Sequence, residues 1–204
     1  MGWKTGLIGM GALTVMSGCA YTMVAKPVAL DSVLTEKATT RSEAAVVLVV
    51  DSNFRNYTYT RQVYNWAFGN MAPDTAGIVL GPALTAGVKK VLERRFSSVI
   101  ETDSAGFVTE LSSDKERIMV KPEMIHGEFF PPSVRFTNIR AMLSMHYTIY
   151  DSQKNVLTSG TVDGEGKARL IATRKSYQAA MEHAIESLLE NFDEEMGRVV
   201  RELP

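Results

Sequence analysis

The C-terminal segment constrains the fold of this chain most. From 174 to 203, Tyr177, Met181, Ala184, Ile185, Leu188, Leu189, Phe192, Met196, Val199 and Val200 recur at helical spacing, which lines them along one stripe of an α-helix. At ~1.5 Å per residue such a helix is on the order of 45 Å long. Its stripe therefore needs an apolar partner as wide as a whole sheet, with Gly197 a weak point near the end. The chain has one cysteine, so no internal disulfide can substitute for that packing.

The rest of the sequence supplies the sheet. "EAAVVLVVD" (43–51) is a continuous β-branched apolar run, the pattern of a strand buried on both faces. Residues 52–77 are rich in aromatics, Asn and Thr, and read as a long excursion with room for an edge hairpin. In 81–98, Leu84, Val88, Val91, Leu92 and Phe96 share one helical face. Gly81 and Pro82 suit the Ncap and N1 positions of that helix, and Lys89, Lys90, Arg94 and Arg95 crowd its later turns, where the dipole favours cations. "SVIETD" is a short strand. "ERIMVKPEMIHGEFF" (116–130) is a longer one, and Pro122 implies a bulge or an edge. Ile139, Ala141, Leu143, Met145, Tyr147 and Ile149 alternate with polar residues in 138–151, and "DSQKN" turns that strand into "VLTSGTVDGEGKARL". The order β-α-β-β-β-β-α predicts an α+β two-layer sandwich: a mainly antiparallel sheet covered by two helices, the C-terminal one long.

The N-terminus carries the most specific signal. Lys4 precedes an apolar run, Leu7–Met16. That run is too short for a bilayer span, which needs ~20 apolar residues, but it suits the h-region of a secretory signal. Ser17 and Gly18 then lead into Cys19. "VMSGC" resembles the lipobox of bacterial lipoproteins, with Met16 where Leu is usual. The resemblance implies diacylglycerol on the Cys19 thiol, cleavage before Cys19, and acylation of the new amine, giving palmitate-type chains. Ala20 in the following position implies sorting to the outer membrane. The expected organisation is a signal peptide over 1–18, lipidated Cys19 and a tether over 19–44, and one periplasmic domain over 45–204. Extended, that tether would reach on the order of 80 Å.

Composition narrows the function. A net charge of −1 gives no basic surplus for nucleic acid. The three histidines, His126, His146 and His183, lie far apart in sequence, so no metal site is expected. No Gly-x-Ser-x-Gly elbow occurs. "GTVDGEGKA" (160–168) has the wrong glycine spacing for a phosphate loop, and Ala168 stands where Ser or Thr should hold magnesium. Gly160, Gly164 and Gly166 instead read as a strand that bulges or lets another backbone come close. Glu190, Asp193, Glu194 and Glu195 read as a solvated helix face. No catalytic residue and no cofactor is expected.

Two places could bind a partner. One is the aromatic excursion, with Tyr64, Trp66 and Phe68; the other is the Phe129–Phe130 pair before Pro131–Pro132. Aromatics are good interface anchors when exposed; the alternatives are that the excursion's aromatics pack under the sheet as a satellite core and that the Phe pair plugs the open end of the sheet. With "VVLVVDSNFRN", "GPALTAGVKKVLERRFSSVIETD" and "SYQAAMEHAIESLLENF" in view, the chain resembles small outer-membrane lipoproteins of Gram-negative bacteria, of the YajG type and of ABC-type lipid transport. That resemblance implies a non-catalytic accessory or scaffold subunit of an envelope transport or assembly machine, held to the membrane by its acyl chains. The alternative is a carrier of lipid or glycan between helix and sheet, which needs an apolar cavity of several hundred Å³, about the size of ordinary ligand pockets.

Cys19→Ala is expected to abolish membrane anchoring and leave an uncleaved or released precursor. Metabolic palmitate labelling checks it: wild type labels and the variant does not.

Overall fold

A computed structural model describes residues 20–26, 41–64, 73–103, 117–130, 138–169 and 173–203. Among the described residues eight strands and three helices follow in chain order: β1 Ala20–Val24, β2 Ser42–Val49, α1 Ser52–Arg55, β3 Thr58–Tyr64, β4 Pro73–Val79, α2 Gly81–Arg95, β5 Phe96–Thr102, β6 Arg117–Phe130, β7 Asn138–Tyr150, β8 Val156–Arg169 and α3 Thr173–Glu202. The strands make a five-stranded sheet, ordered β5-β2-β6-β7-β8, and a three-stranded sheet, ordered β1-β4-β3. In the large sheet β2 runs parallel to both neighbours, while the longer β6–β7 and β7–β8 ladders are antiparallel. The expected element order is that of the large sheet and its two long helices.

Alternation along the strands sorts the two faces. Val46, Leu48 and Val50 of the β2 region, Ile118 and Val120 of β6, and Ile139 to Ile149 of β7 face the helices in one core. Val47 and Val49 point the other way and bury with Met119 against Tyr150. β2 is thus buried on both faces, as its unbroken apolar run requires. β6 leaves the β2 ladder after Val120, two residues before Pro122, so from there it is an edge on that side. The bulge comes at Ile125, between the Met124 and His126 pairings.

The excursion after β2 folds as α1 and a β3–β4 hairpin. Asp51 caps α1, its Oδ1 accepting from the Phe54 N–H at 2.8 Å, and Phe54 is buried. Gly81 does not cap α2. Leu80 stands at the cap without a side-chain bond, and the Leu80 and Gly81 N–H groups donate to Tyr57 O at 2.9 and 3.0 Å. A Cβ on Gly81 would overlap the Arg55 carbonyl, so glycine is set there by the close passage of α1.

The tether expectation fails at its first residues. Ala20–Val24 is a strand, parallel to β4 from Ala20 opposite Thr75 to Val24 opposite Val79. The exit of the strand is also tied, with Ala25 N–H on Val79 O at 3.0 Å, Lys26 N–H on Glu182 Oε1 at 3.0 Å and Gln178 Nε2 on Val24 O at 3.2 Å. Residues 27–40 lie outside the described residues.

α3 lies directly on β8. A Cβ on Gly164 would overlap Ala184 O, and one on Gly166 would overlap Ala180 O. Two peptide backbones meet there because neither glycine has a side chain. α3 also meets α2: Leu189 fills the space over Gly87, and Arg95 donates through Nε and a terminal nitrogen to the two Asp193 oxygens at 2.8 and 2.6 Å. Both residues are buried, which corrects the reading of Asp193 as part of a solvated face.

Gly166→Ala is expected to destabilise the domain by about 1–3 kcal/mol, the usual cost of forcing a methyl into a filled contact. Thr161→Ala, on the opposite face of the same strand, is expected to change it by about 0.5 kcal/mol or less. Denaturant titrations of both variants check this.

Candidate functional site

The candidate site is the free edge of β8 where it parts from α3. β8 is the last strand of its sheet. Asn191 Nδ2 donates to Asp163 O at 2.7 Å. His183 Nδ1 lies 2.8 Å from Lys167 O; a carbonyl only accepts, so that nitrogen carries the proton. Helix side chains thereby close the edge at Asp163 and Lys167. Because outward-pointing peptide groups recur every second residue, the backbone of Ser159 and Thr161 faces the same side. Among the described residues nothing pairs with it there.

A cleft of about 290 Å³ opens at that place, walled by Thr158, Ser159, Gly160 and Thr161 of β8, Tyr147 of β7, and Glu195, Arg198, Val199 and Glu202 of α3. Its floor is built by a glycine: a Cβ on Gly160 would sit 2.6 Å from the Tyr147 hydroxyl, so the ring can lie across the strand. Tyr147 packs edge-on against Phe192 at 5.6 Å and donates to Glu195 Oε2 at 3.3 Å. Arg198 holds the other Glu195 oxygen at 3.0 Å. Burial pushes the Tyr147 phenol up from its ordinary value, Glu195 adds to the rise, and Arg198 opposes it. Glu195 is thus engaged on both oxygens and the phenol stays protonated. This arrangement offers hydrogen bonds and a charged wall, suited to binding an extended chain.

The strand entering the cleft is held firmly. Asp151 Oδ1 accepts from the Gln153 and Asn155 N–H groups at 2.8 Å each, and Oδ2 from Asn155 Nδ2 at 2.9 Å. The Asn155 bonds, with help from Gln153, hold the Asp151 carboxyl below its usual value. Lys154 takes a positive φ of 67° in this turn. Ile149 then faces Thr158 while Tyr150 faces Val156, leaving Leu157 as a bulge. Val156 and Leu157 are 59% and 49% exposed, an apolar lip beside the open edge.

Of the residues singled out in the sequence, Cys19, Trp66 and Phe68 lie outside the described residues, and Tyr64 is the last residue of β3. Phe129 is not at an exposed tip. It is 2% exposed, stacked edge-on between Tyr59 and Tyr177 at 5.1 and 4.9 Å, and so cannot anchor a partner. Phe130, next along the strand, faces the opposite side, half-buried with the Arg140 guanidinium 5.7 Å from its ring centre. The β8 edge was missed because open backbone leaves no mark in side-chain patterns. Glu195 and Arg198, an i,i+3 pair of opposite charge, were a weak signal. Among the described residues, no group of three or more His, Cys, Asp or Glu gathers as a metal site, and no helix is long and apolar enough to cross a membrane.

No protein-family model matches the chain, and no curated protein matches it in sequence. Solved structures resemble it at low identity. A DUF330-family protein from Xanthomonas campestris aligns at TM-score 0.45 and 12% identity, over 90% of this chain and 99% of its own. A minor lipoprotein from Acinetobacter baumannii aligns at TM-score 0.44 and 11% identity, over 77% of this chain and 92% of its own.

Tyr57 and Tyr147 both have phenols raised above 10.0, chiefly by burial. A raised folded-state value means that the stability these groups carry is whole below pH 10.0 and declines as pH rises through their folded values. Tyr147→Phe is expected to remove one late-ionising phenol and part of that alkaline decline. Spectrophotometric titration alongside urea unfolding between pH 9 and 12 (about the phenol range) checks it.

Proposed function

We propose that this chain is a non-catalytic, lipid-anchored accessory subunit of a cell-envelope transport or assembly machine, facing the periplasm from the outer membrane. In this reading Cys19 carries the anchor, and an extended segment of a partner adds as a strand to β8. The observation that carries it is the open edge at Ser159 and Thr161, placed beside an α3 wall and an exposed Val156–Leu157 lip. Strand addition supplies affinity through main-chain hydrogen bonds and specificity through side chains set against the neighbouring wall. Arg198 and Glu202 are placed to read the partner's charge. The lipobox-like "SGC" supports the anchor.

The carrier alternative asks for apolar space between helix and sheet. Over Gly164 and Gly166 that space is filled by helix backbone. The cleft beside β8 lies at the rim and is walled by Glu195, Arg198 and Glu202, a poor lining for acyl chains.

A proline tests strand addition, since it is tolerated where an edge N–H faces outward but cannot donate to an added strand. Ser159→Pro is expected to leave the melting temperature nearly unchanged and to lower recovery of the co-purifying membrane complex at least tenfold. Ser159→Ala keeps the N–H and is expected to retain it. Equal recovery with Ser159→Pro would remove the strand-addition reading.

A further inference from the structure

We infer that the end of the small sheet formed by Ala20, Tyr64 and Pro73 is a membrane-contact surface, and that the domain stands directly on the bilayer without a tether. The inference rests on the reading of Cys19 as acylated. What it adds is where the domain touches lipid and in which orientation.

The geometry is that of the first strand. Cys19 is one residue from Ala20, so their Cα atoms are ~3.8 Å apart. Ala20 is already in register with Thr75. The far end of β1 is held by the Ala25 bond to Val79 O and by both α3 contacts, Glu182 to Lys26 and Gln178 to Val24, and Ala25 itself is buried. A chain fixed at its first residues cannot act as a spacer. The acyl chains must enter the bilayer within a few ångströms of the sheet.

Register then decides which end faces the lipid. β1 and β4 run parallel and away from Cys19, while β3 runs antiparallel and toward it. Gln62, Thr75 and Ala20 form one row across the sheet, and Tyr64 pairs with Pro73 two residues beyond. Tyr64 and Pro73 thus lie farther toward the acylated end than Ala20 does. The opposite end, where Thr58 pairs with Val79, lies about 13 Å from Gln62 along β3 at ~3.3 Å per residue.

Depth-dependent quenching tests the inference. The acylated protein is recovered from membranes and reconstituted in vesicles of phosphatidylethanolamine and phosphatidylglycerol carrying nitroxide-labelled lipid. An environment-sensitive fluorophore is placed on Gln62→Cys or on Thr58→Cys; an acylated Cys19 does not compete for the label. The expected result is at least threefold stronger quenching at 62 than at 58. Thr22→Cys against Asn56→Cys, both exposed positions, repeats the comparison if either first variant melts early. Weak and equal quenching at both depths, the pattern of a domain on a flexible tether, overturns the inference, as does stronger quenching at 58. The mass of the N-terminal peptide separates the two layers of the argument. Acyl chains present without a depth difference sink the orientation alone. A peptide without acyl chains sinks the anchor and the orientation together.

Discussion

The close passage of α3 over β8 is the contact on which the rest of the structure depends. Gly164 and Gly166 let the helix backbone rest on the strand, which brings the axis nearer than side chains would allow. At that distance Asn191 and His183, short polar residues on the flank of the helix, reach over to the carbonyls of Asp163 and Lys167. An edge strand is a liability because its unpaired groups invite other strands, and here the helix blocks those groups along part of the length. Where the helix draws away, the bulky Tyr147 occupies the gap over Gly160, and the edge is open.

A second lock fixes α3 against α2. The Arg95–Asp193 pair is bidentate and buried. Pairs of this kind seldom add much net stability, since desolvation offsets most of the attraction, but removal of one partner strands the other. Its position makes register its main effect. Arg95 is the last residue of α2, so the guanidinium sits at the negative end of that helix dipole, and Gly197 leaves room for it one turn beyond Asp193. Sliding α3 by a turn would leave both charges without partners.

The large-scale fold was legible because it is written in periodicity. The α3 stripe and the β7 alternation are nearly free of exceptions, and the α2 face that carries Leu84 to Phe96 is the one that buries. The elements that escaped are those set by tertiary contact. Ala20–Val24 has no strong strand pattern and becomes a strand because β4 offers it an edge. Asp193 looks like its acidic neighbours until Arg95 is placed opposite. Phe129 and Phe130 look like a pair in sequence and part in space, because a strand sends neighbours to opposite faces. The open edge at Ser159 and Thr161 was the least legible of all, since its chemistry belongs to the main chain and every residue has one.

The parallel pairing of β1 with β4 sets where the folded unit begins. β4 is the central strand of its sheet only while β1 lies beside it. A protein beginning at residue 45, the boundary that hydrophobic patterning suggests, would turn β4 into a bare edge and uncover the buried side of Ile78. Among the described residues the folded unit begins at Ala20, next to the cysteine that the proposed anchor would use. On the proposed reading of Cys19, maturation and folding would share that boundary.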